Sequence, residues 1–202
     1  MGEWDPKLRA SAHAKLTFVA LPWTPIDFFV YSRAVSNAAD GGDAHALTEE
    51  HWSYMDQFAD RMIARGPTLA TDRETWTGSL HILDLPSADA VHEFVEREPY
   101  NRAGLFEHHL IRRFNNLLGR TMWESPGGSD DPRFLVIAHT LPGLTALAPE
   151  RLNVHGELLA LDDATPVGVA LALQAPTREA VDTLLRGGQA IDVHDWEFGG
   201  RR

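Results

Sequence analysis

Residues 66–95, GPTLATDRETWTGSLHILDLPSADAVHEFV, align without a gap with residues 156–185, GELLALDDATPVGVALALQAPTREAVDTLL. The two segments lie 90 positions apart and share ten identical residues, among them Gly66/Gly156 and Pro86/Pro176. An internal repeat defines the architecture of a chain before any single motif is weighed. We therefore expect two copies of one folding unit.

Hydrophobic periodicity predicts the elements of the first copy. Helical spacing of apolar residues runs from an N-cap at Thr48 to Gly66–Pro67, which are expected to end the helix. The predicted elements are a strand at 27–33, a helix at 48–65, strands at 68–72 and 76–85, a helix at 88–97 capped by Ser87, and a strand at 107–115. This βαββαβ order is the ferredoxin-like arrangement.

The second copy is shorter. Its first helix is predicted at 147–153 and its later helix at 177–186, and it has no counterpart of residues 98–106. The predicted organisation is an arm at 1–25, a first domain at 26–124 that carries the site, a linker at 125–132, and a degenerate domain at 133–202. One such sheet leaves a face bare. The expected fold class is thus α+β, with two tandem ferredoxin-like domains packed sheet to sheet as an internal pseudo-dimer.

Composition excludes several classes of function. The formal charge is -11, from 29 acidic and 18 basic residues, which disfavours nucleic acid as a partner. The chain has no cysteine, so it cannot form disulfides or use a thiolate nucleophile. The apolar patch at 16–21 is too short for a signal peptide or a membrane span. A cytoplasmic protein without a membrane partner is expected.

Four motifs indicate a family. EHWSYMD at 50–56, RGPTL at 65–69, TGS at 77–79 and EPYNRAGLF at 98–106 resemble, in order and spacing, the YciI-like (YCII-related) family of dimeric α+β barrels. The resemblance covers residues 27–123, with a faded copy at 133–198. It implies an intramolecular dimeric α+β barrel with a small-molecule pocket between the helix-borne histidine and the sheet. Relatives of this barrel include muconolactone-type isomerases, and many small barrels of the class belong to natural-product pathways.

Two positions depart from the family pattern. The acid that members often place just after the first strand is Ala34 here, and the aspartate of the family's DPY loop is Glu98. If the first acid partners the histidine in the family, this chain lacks that partner. The resemblance then leaves the partner of His51 open.

His51 is the candidate catalytic residue. An imidazole near the start of a helix, beside its apolar stripe, can accept and return a proton near neutral pH. The alternative is a half-buried histidine that is hydrogen bonded locally. Asp56 and Asp60 lie off the apolar stripe of the same helix and are expected to be solvated.

Five further residues are candidates for substrate binding. His81 shares a strand face with Ser79 and lines the pocket if that face is the barrel face; otherwise it is a strand histidine without chemistry. Tyr31 and Arg33 share a face of the first strand and could bind an acidic or phenolic ligand, unless Arg33 only meets water. The remaining two, Tyr100 and Arg102, lie in a loop that could cover the pocket or have only a structural role.

The sequence predicts neither a metal nor a cofactor. It contains no H-x-x-x-H, HExxH, GxGxxG or Walker pattern, and adjacent His108 and His109 point to opposite faces of a strand. We therefore expect a cofactor-independent isomerase, cyclase or dehydratase acting on a cyclic or aromatic metabolite by acid–base chemistry. The alternatives are a non-catalytic ligand-binding or accessory protein and, more weakly supported, a cofactor-free oxygenase. The expected partner is a small molecule, and the chain is expected to act as a monomeric pseudo-dimer or a homodimer.

Overall fold

The first half of the protein supplies four strands and three helices to the described structure. The computed structural model describes residues 26–36, 44–126, 130–140, 149–162, 164–189 and 191–199. The first-half elements are β1 (Ile26–Ala34), α1 (Ala44–Asp56), β2 (Met62–Leu69), β3 (Trp76–Leu85), α2 (Ala88–Arg97), α3 (Pro99–Arg102) and β4 (Phe106–Asn116). The predicted arm at 1–25 lies outside the described residues.

The second half supplies four more strands and one described α-helix. These are β5 (Arg133–Ala138), β6 (Leu152–Leu159), β7 (Pro166–Gln174), α4 (Arg178–Leu184) and β8 (Asp192–Trp196). Short 3-10 turns lie at Ala59–Arg61, Met122–Glu124 and Pro149–Arg151. No helix of the described ranges is long and apolar enough to cross a membrane.

The eight strands form one closed barrel. Hydrogen-bonded neighbours follow one another in the order β1-β3-β2-β8-β5-β7-β6-β4, and all of the pairs are antiparallel. The two halves join edge to edge at β2–β8 and β4–β6. The inner faces of the two halves share one core, as expected for two packed sheets. Their edge strands also pair, which satisfies backbone groups that separate sheets would leave open.

Alternation along the strands separates two apolar layers. Phe29, Leu80 and Ile82 belong to the buried cluster inside the barrel. Their neighbours in sequence point the other way, and Phe28 and Leu83 pack beneath the helices of the first half. A third cluster lies under α4 in the second half. The space between helix and sheet is thus distinct from the barrel interior.

Several predicted elements of the first half are confirmed. β3 has the predicted bounds, while β1 and β4 extend the predicted strands by one residue at each end. The helix at 88–97 is also confirmed, and the Ser87 hydroxyl caps it by accepting a hydrogen bond from the Ala90 amide at 3.2 Å. Val91 and Phe94 are buried on one face of this helix.

The predicted helix at 48–65 is wrong in its second half. The helix ends at Asp56, and Met62 begins β2 after a 3-10 turn. Met62 and Ile63 continue the helical spacing of apolar residues, yet they also fit the alternating burial of a strand. Thr48 lies inside α1 and is not its N-cap, and Gly66–Pro67 lies within β2.

The second half also differs from the prediction. The helix expected at 147–153 is a 3-10 turn at Pro149–Arg151 followed directly by β6, and residues 147 and 148 lie outside the described ranges. The later helix is α4, which is shorter than predicted and is capped by the Thr177 hydroxyl. No helix equivalent to α1 covers this half within the described residues. Within the described residues, the space between an α1-type helix and the sheet is therefore formed in the first half.

Candidate functional site

A cavity of about 450 Å³ lies between α1 and the outer face of β2 and β3. It lies in the half that the sequence analysis selected. His51 and Trp52 reach it from α1, Arg65 from β2, Ser79 and His81 from β3, Tyr100 from α3, and Phe198 from the segment after β8. The cavity thus lies on the outside of the barrel, between helix and sheet.

His51 is paired with Glu98 at the edge of this cavity. Its Nδ1 lies 2.7 Å from Glu98 Oε1, and the two side chains are only 12% and 4% exposed. A carboxylate can only accept, so Nδ1 carries the proton and donates it. In the neutral imidazole the second ring nitrogen, Nε2, is then unprotonated and can act as a base. Because Ala34 stands where the family often has an acid, the partner of His51 was open. The structure shows that this partner is Glu98.

Glu98 is held by a hydrogen-bonded chain behind it. Its Oε2 accepts from the Asn101 amide at 2.7 Å, and the Asn101 side-chain oxygen lies 2.9 Å from His109 Nε2. The side-chain nitrogen of Asn101, Nδ2, donates to the Val95 carbonyl. The side-chain oxygen, Oδ1, therefore faces His109 and accepts a hydrogen bond from it. His109 Nδ1 then accepts from the Ser32 hydroxyl at 2.8 Å. This chain connects the His51 partner to β1 and β4.

Tyr100 is stacked against His51. The ring centroids lie 4.3 Å apart with an interplanar angle of 8°. The Tyr100 hydroxyl donates to the Thr48 hydroxyl at 3.1 Å, which connects α3 to α1. The imidazole is thus oriented by a carboxylate at one edge and by an aromatic ring on one face.

Two further polar side chains complete the pocket. His81 is 3% exposed, and burial lowers its pKa well below the usual value, with smaller contributions from the charges of His51 and Arg65. It is therefore neutral and can donate or accept a hydrogen bond. Burial also lowers the pKa of Arg65, but a guanidinium stays charged in proteins. Arg65 is thus a fixed cation that the sequence analysis did not select.

The second half closes one side of the cavity. The Gly199 amide donates to the Arg65 carbonyl at 3.0 Å, and the Glu197 amide donates to the Pro67 carbonyl at 3.2 Å. This pairing lays Phe198 on the cavity. A Cβ at Gly66 would collide with the Glu197 carbonyl oxygen, so the close approach requires glycine there. Phe198 was missed in the sequence because its contribution depends on barrel closure.

The structure brings together three of the six predicted site residues. His51, His81 and Tyr100 line the same cavity. Tyr31 and Arg33 line a different one, at the end of the barrel, and Tyr31 is part of the barrel core. The sixth, Arg102, is exposed and lines neither cavity, because α3 ends there and its side chain faces solvent.

Other sequence candidates have no place in the cavity. Asp56 and Asp60 are exposed, as expected. Among the residues that the structure describes, no group of three or more histidine or acidic side chains is arranged to hold a metal ion.

The site lies within a recognisable domain. Residues 28–115 match the family model of the YCII-related domain. The match includes His51, Glu98 and Tyr100, and it ends before the second half. No curated protein matches the chain.

Solved structures were found that are similar to much of this chain. A mutant chlorite dismutase from Candidatus Nitrospira defluvii is 10% identical, with a TM-score of 0.54 over 85% of this chain and 91% of the other. An anthrone oxidase-like protein is 12% identical, with a TM-score of 0.48 over 88% and 92%. The 5-chloro-2-hydroxyhydroquinone dehydrochlorinase of Burkholderia phenoliruptrix AC1100, solved with 2,5-dihydroxybenzoquinone, is 29% identical, with a TM-score of 0.40 over 45% and 94%. The chlorite dismutase shows the shared fold, that of the dimeric α+β barrel proteins.

Proposed function

We propose that this protein is a small-molecule enzyme that moves a proton with His51. The observation that carries the proposal is the buried His51–Glu98 pair, which fixes the tautomer with a free Nε2 at a cavity wall. A base that is oriented by a carboxylate is the arrangement expected for general acid–base catalysis. His51 is only 12% exposed, unlike a histidine on the protein surface.

The chemistry follows from this tautomer. Nε2 accepts a proton from an acidic O–H or C–H of the substrate, and the resulting imidazolium is stabilised by the Glu98 carboxylate 2.7 Å from Nδ1. The electron pair left on the substrate shifts within its conjugated system. His51 then returns the proton to another atom in an isomerisation or cyclisation, or to a leaving hydroxyl group in a dehydration. No external oxidant or reductant is consumed in any of these reactions.

The lining of the cavity favours a flat, oxygen-bearing ring as substrate. Trp52, Trp76 and Phe198 provide aromatic walls, whereas Arg65 and the neutral His81 provide polar contacts. A fixed cation in a partly apolar site stabilises charge that develops on an enolate or phenolate oxygen. The proposed substrate is therefore a cyclic or aromatic metabolite with an ionisable hydroxyl or carbonyl group, of the kind made in natural-product pathways.

4-Nitrocatechol is a suitable first probe, because its absorbance changes when the phenol loses its proton. With the wild-type protein, below the probe's own pKa, we expect saturable binding together with the spectrum of the deprotonated form. His51→Gln should bind within about threefold of wild type but without that spectrum. His92→Gln is the matched control, since His92 is exposed on α2. Mass spectrometry and NMR on a panel of hydroxylated rings would then identify turnover.

Two other outcomes have clear meanings. Binding without proton transfer in the wild type would favour the alternative function, a ligand-binding or accessory protein. Oxygen uptake with an electron-rich aromatic would favour a cofactor-free oxygenase. Absence of binding, or His51→Gln behaving like wild type, would contradict the role given to His51.

We also propose that the barrel consists of two copies of a tandem repeat, with a degenerate second copy and a boundary within residues 125–132. The equal strand order of the two halves supports this proposal: β4-β1-β3-β2 in one and β8-β5-β7-β6 in the other. Each half also has a helix directly after its third strand, capped by Ser87 or Thr177. Since the barrel closes within one chain, a monomer is expected by light scattering.

A further inference from the structure

A second cavity of about 510 Å³ opens at one end of the barrel. Here β1 and β2 end and β3 and β4 begin. Tyr31 and Arg33 line it from β1, His194 from β8, and Arg178 from α4, so both halves of the chain contribute. Trp76 lines this cavity and the His51 cavity, which are otherwise formed by different residues.

Two of the residues that line this cavity each have a buried polar atom without a hydrogen-bond partner. Tyr31 is 7% exposed and its hydroxyl is unpaired, as is the buried Nε2 of His194. The Thr68 hydroxyl is close enough to lower the pKa of Tyr31, but the two hydroxyls do not meet in hydrogen-bond geometry. Thr68 accepts a hydrogen bond from the Thr77 hydroxyl at 3.1 Å. The rings of Tyr31 and His194 lie 4.9 Å apart. Buried polar atoms are costly to leave unpaired, so this pair marks a place for a ligand group.

Charge at this end of the barrel is balanced. Arg33 is paired with Glu107 at 2.8 Å, and Arg178 is paired with Asp195 at 3.1 Å. Burial raises the pKa of Tyr31 and lowers the pKa of His194, with smaller effects from nearby charges that include Asp192, so both side chains are neutral near pH 7. A charged ligand would have to displace an existing ion pair. A neutral ligand would not.

We propose that this cavity is a second binding site, for a neutral aromatic molecule that carries a hydroxyl group. A hydroxyl both donates and accepts, so it can bond to Tyr31 Oη and His194 Nε2 whichever tautomer the imidazole adopts. The rings of Trp76 and His194 offer contact surface for an aromatic ring. The site is separate from the one assigned to proton transfer.

The test uses benzyl alcohol and the full chain with 15N-labelled histidines. Each cavity has its own reporters: His194 for the second, and His51 and His81 for the first. Saturable shifts of the His194 side-chain nitrogens are expected. The chain has three tyrosines, and their phenylalanine variants form a matched set. Tyr31→Phe should weaken this binding about five- to tenfold, while Tyr100→Phe and Tyr54→Phe should leave it unchanged.

Each result decides the proposal. His194 shifts that depend on Tyr31 support it, whatever the outcome for proton transfer at His51. Shifts confined to His51 and His81, or no shifts at all, would overturn the second binding site. Water would then be the hydrogen-bond partner of Tyr31 and His194. Equal affinity in Tyr31→Phe would also overturn it. His194→Gln provides a second removal of the polar pair if Tyr31→Phe loses stability.

Discussion

The imidazole of His51 and the phenol ring of Tyr100 lie face to face, with their centroids 4.3 Å apart. His51 belongs to α1 and Tyr100 to α3, so the stack joins two residues that lie almost fifty positions apart in the chain. The Thr48 hydroxyl, one turn before His51, accepts from Tyr100 and joins them a second time. The candidate base is therefore oriented on one face of its ring by Tyr100, whose hydroxyl is held by Thr48.

Replacing Tyr100 separates these two contacts. Tyr100→Phe keeps the stack and loses the hydrogen bond to Thr48, whereas Tyr100→Leu loses both. Aromatic pairs contribute about 0.5–1.5 kcal/mol beyond their buried area. We expect proton transfer from 4-nitrocatechol to His51 to fall less than about threefold in Tyr100→Phe and about tenfold in Tyr100→Leu. An equal loss in both variants would show that the hydroxyl, and not the ring, orients His51.

Glu98 has two roles that one substitution can separate. In Glu98→Gln the amide oxygen can still accept from the Asn101 amide, so the turn into α3 is retained. The amide nitrogen can donate to His51 Nδ1, which would place the imidazole proton on Nε2 and remove the base. We expect proton transfer to fall by about 10²-fold or more, with a loss in unfolding free energy below about 1 kcal/mol.

The matched control for this variant is Glu96→Gln. Glu96 lies two residues earlier and is exposed on α2. It should retain wild-type proton transfer and stability. If Glu98→Gln transfers protons at the wild-type rate, Glu98 has only a structural role.

The sequence predicted the residues of the site better than their connections. His51 and Tyr100 were selected within the family motifs and His81 from strand alternation, and the three line one cavity. Glu98 was noted only as a departure from a family pattern, because its role depends on a fold that brings positions 51 and 98 within hydrogen-bond distance. Residues so far apart in the chain give no local signal of contact.

The errors in the fold have the same physical origin. Residues 57–61 turn the chain without any glycine or proline, so helical periodicity carried the predicted helix into β2. Gly66 looked like a helix stop, but its real constraint is the backbone of Glu197. That constraint comes from closure of the barrel by the other half. A glycine that ends a helix and a glycine that allows two backbones to approach closely look the same in a sequence.

Gly66→Ala tests that closure. The added Cβ would collide with the Glu197 carbonyl oxygen, so β2 and the segment after β8 must separate. We expect the unfolding free energy to fall by about 2–4 kcal/mol, with weaker binding of 4-nitrocatechol because Phe198 is displaced. Gly119→Ala is the control: it has a positive φ of 62° but nothing near its Cβ, and should cost about 1 kcal/mol. Equal losses in the two variants would contradict the close approach at Gly66.

Asp27 predicts a pH-dependent change in stability. Burial and its cross-strand neighbour Asp84 raise its pKa from 3.8 to about 6. The folded state thus binds the proton more tightly than the unfolded state, and stability falls as the pH rises from about 4 to 6. Asp27→Asn removes this cost. Because Asp27 is only half-buried, we expect a gain of about 1 kcal/mol at pH 7.5 and little gain at pH 4.

Urea unfolding of the wild type and Asp27→Asn at pH 4 and pH 7.5 measures the difference in their unfolding free energies. Asp182→Asn is the matched control, because Asp182 is exposed on α4 in the other half of the barrel. Its effect on unfolding free energy should be small and the same at both pH values. An equal gain at pH 4 and pH 7.5 in Asp27→Asn would show that the substitution acts through packing, and that the carboxylate of Asp27 is not strained by its burial beside Asp84.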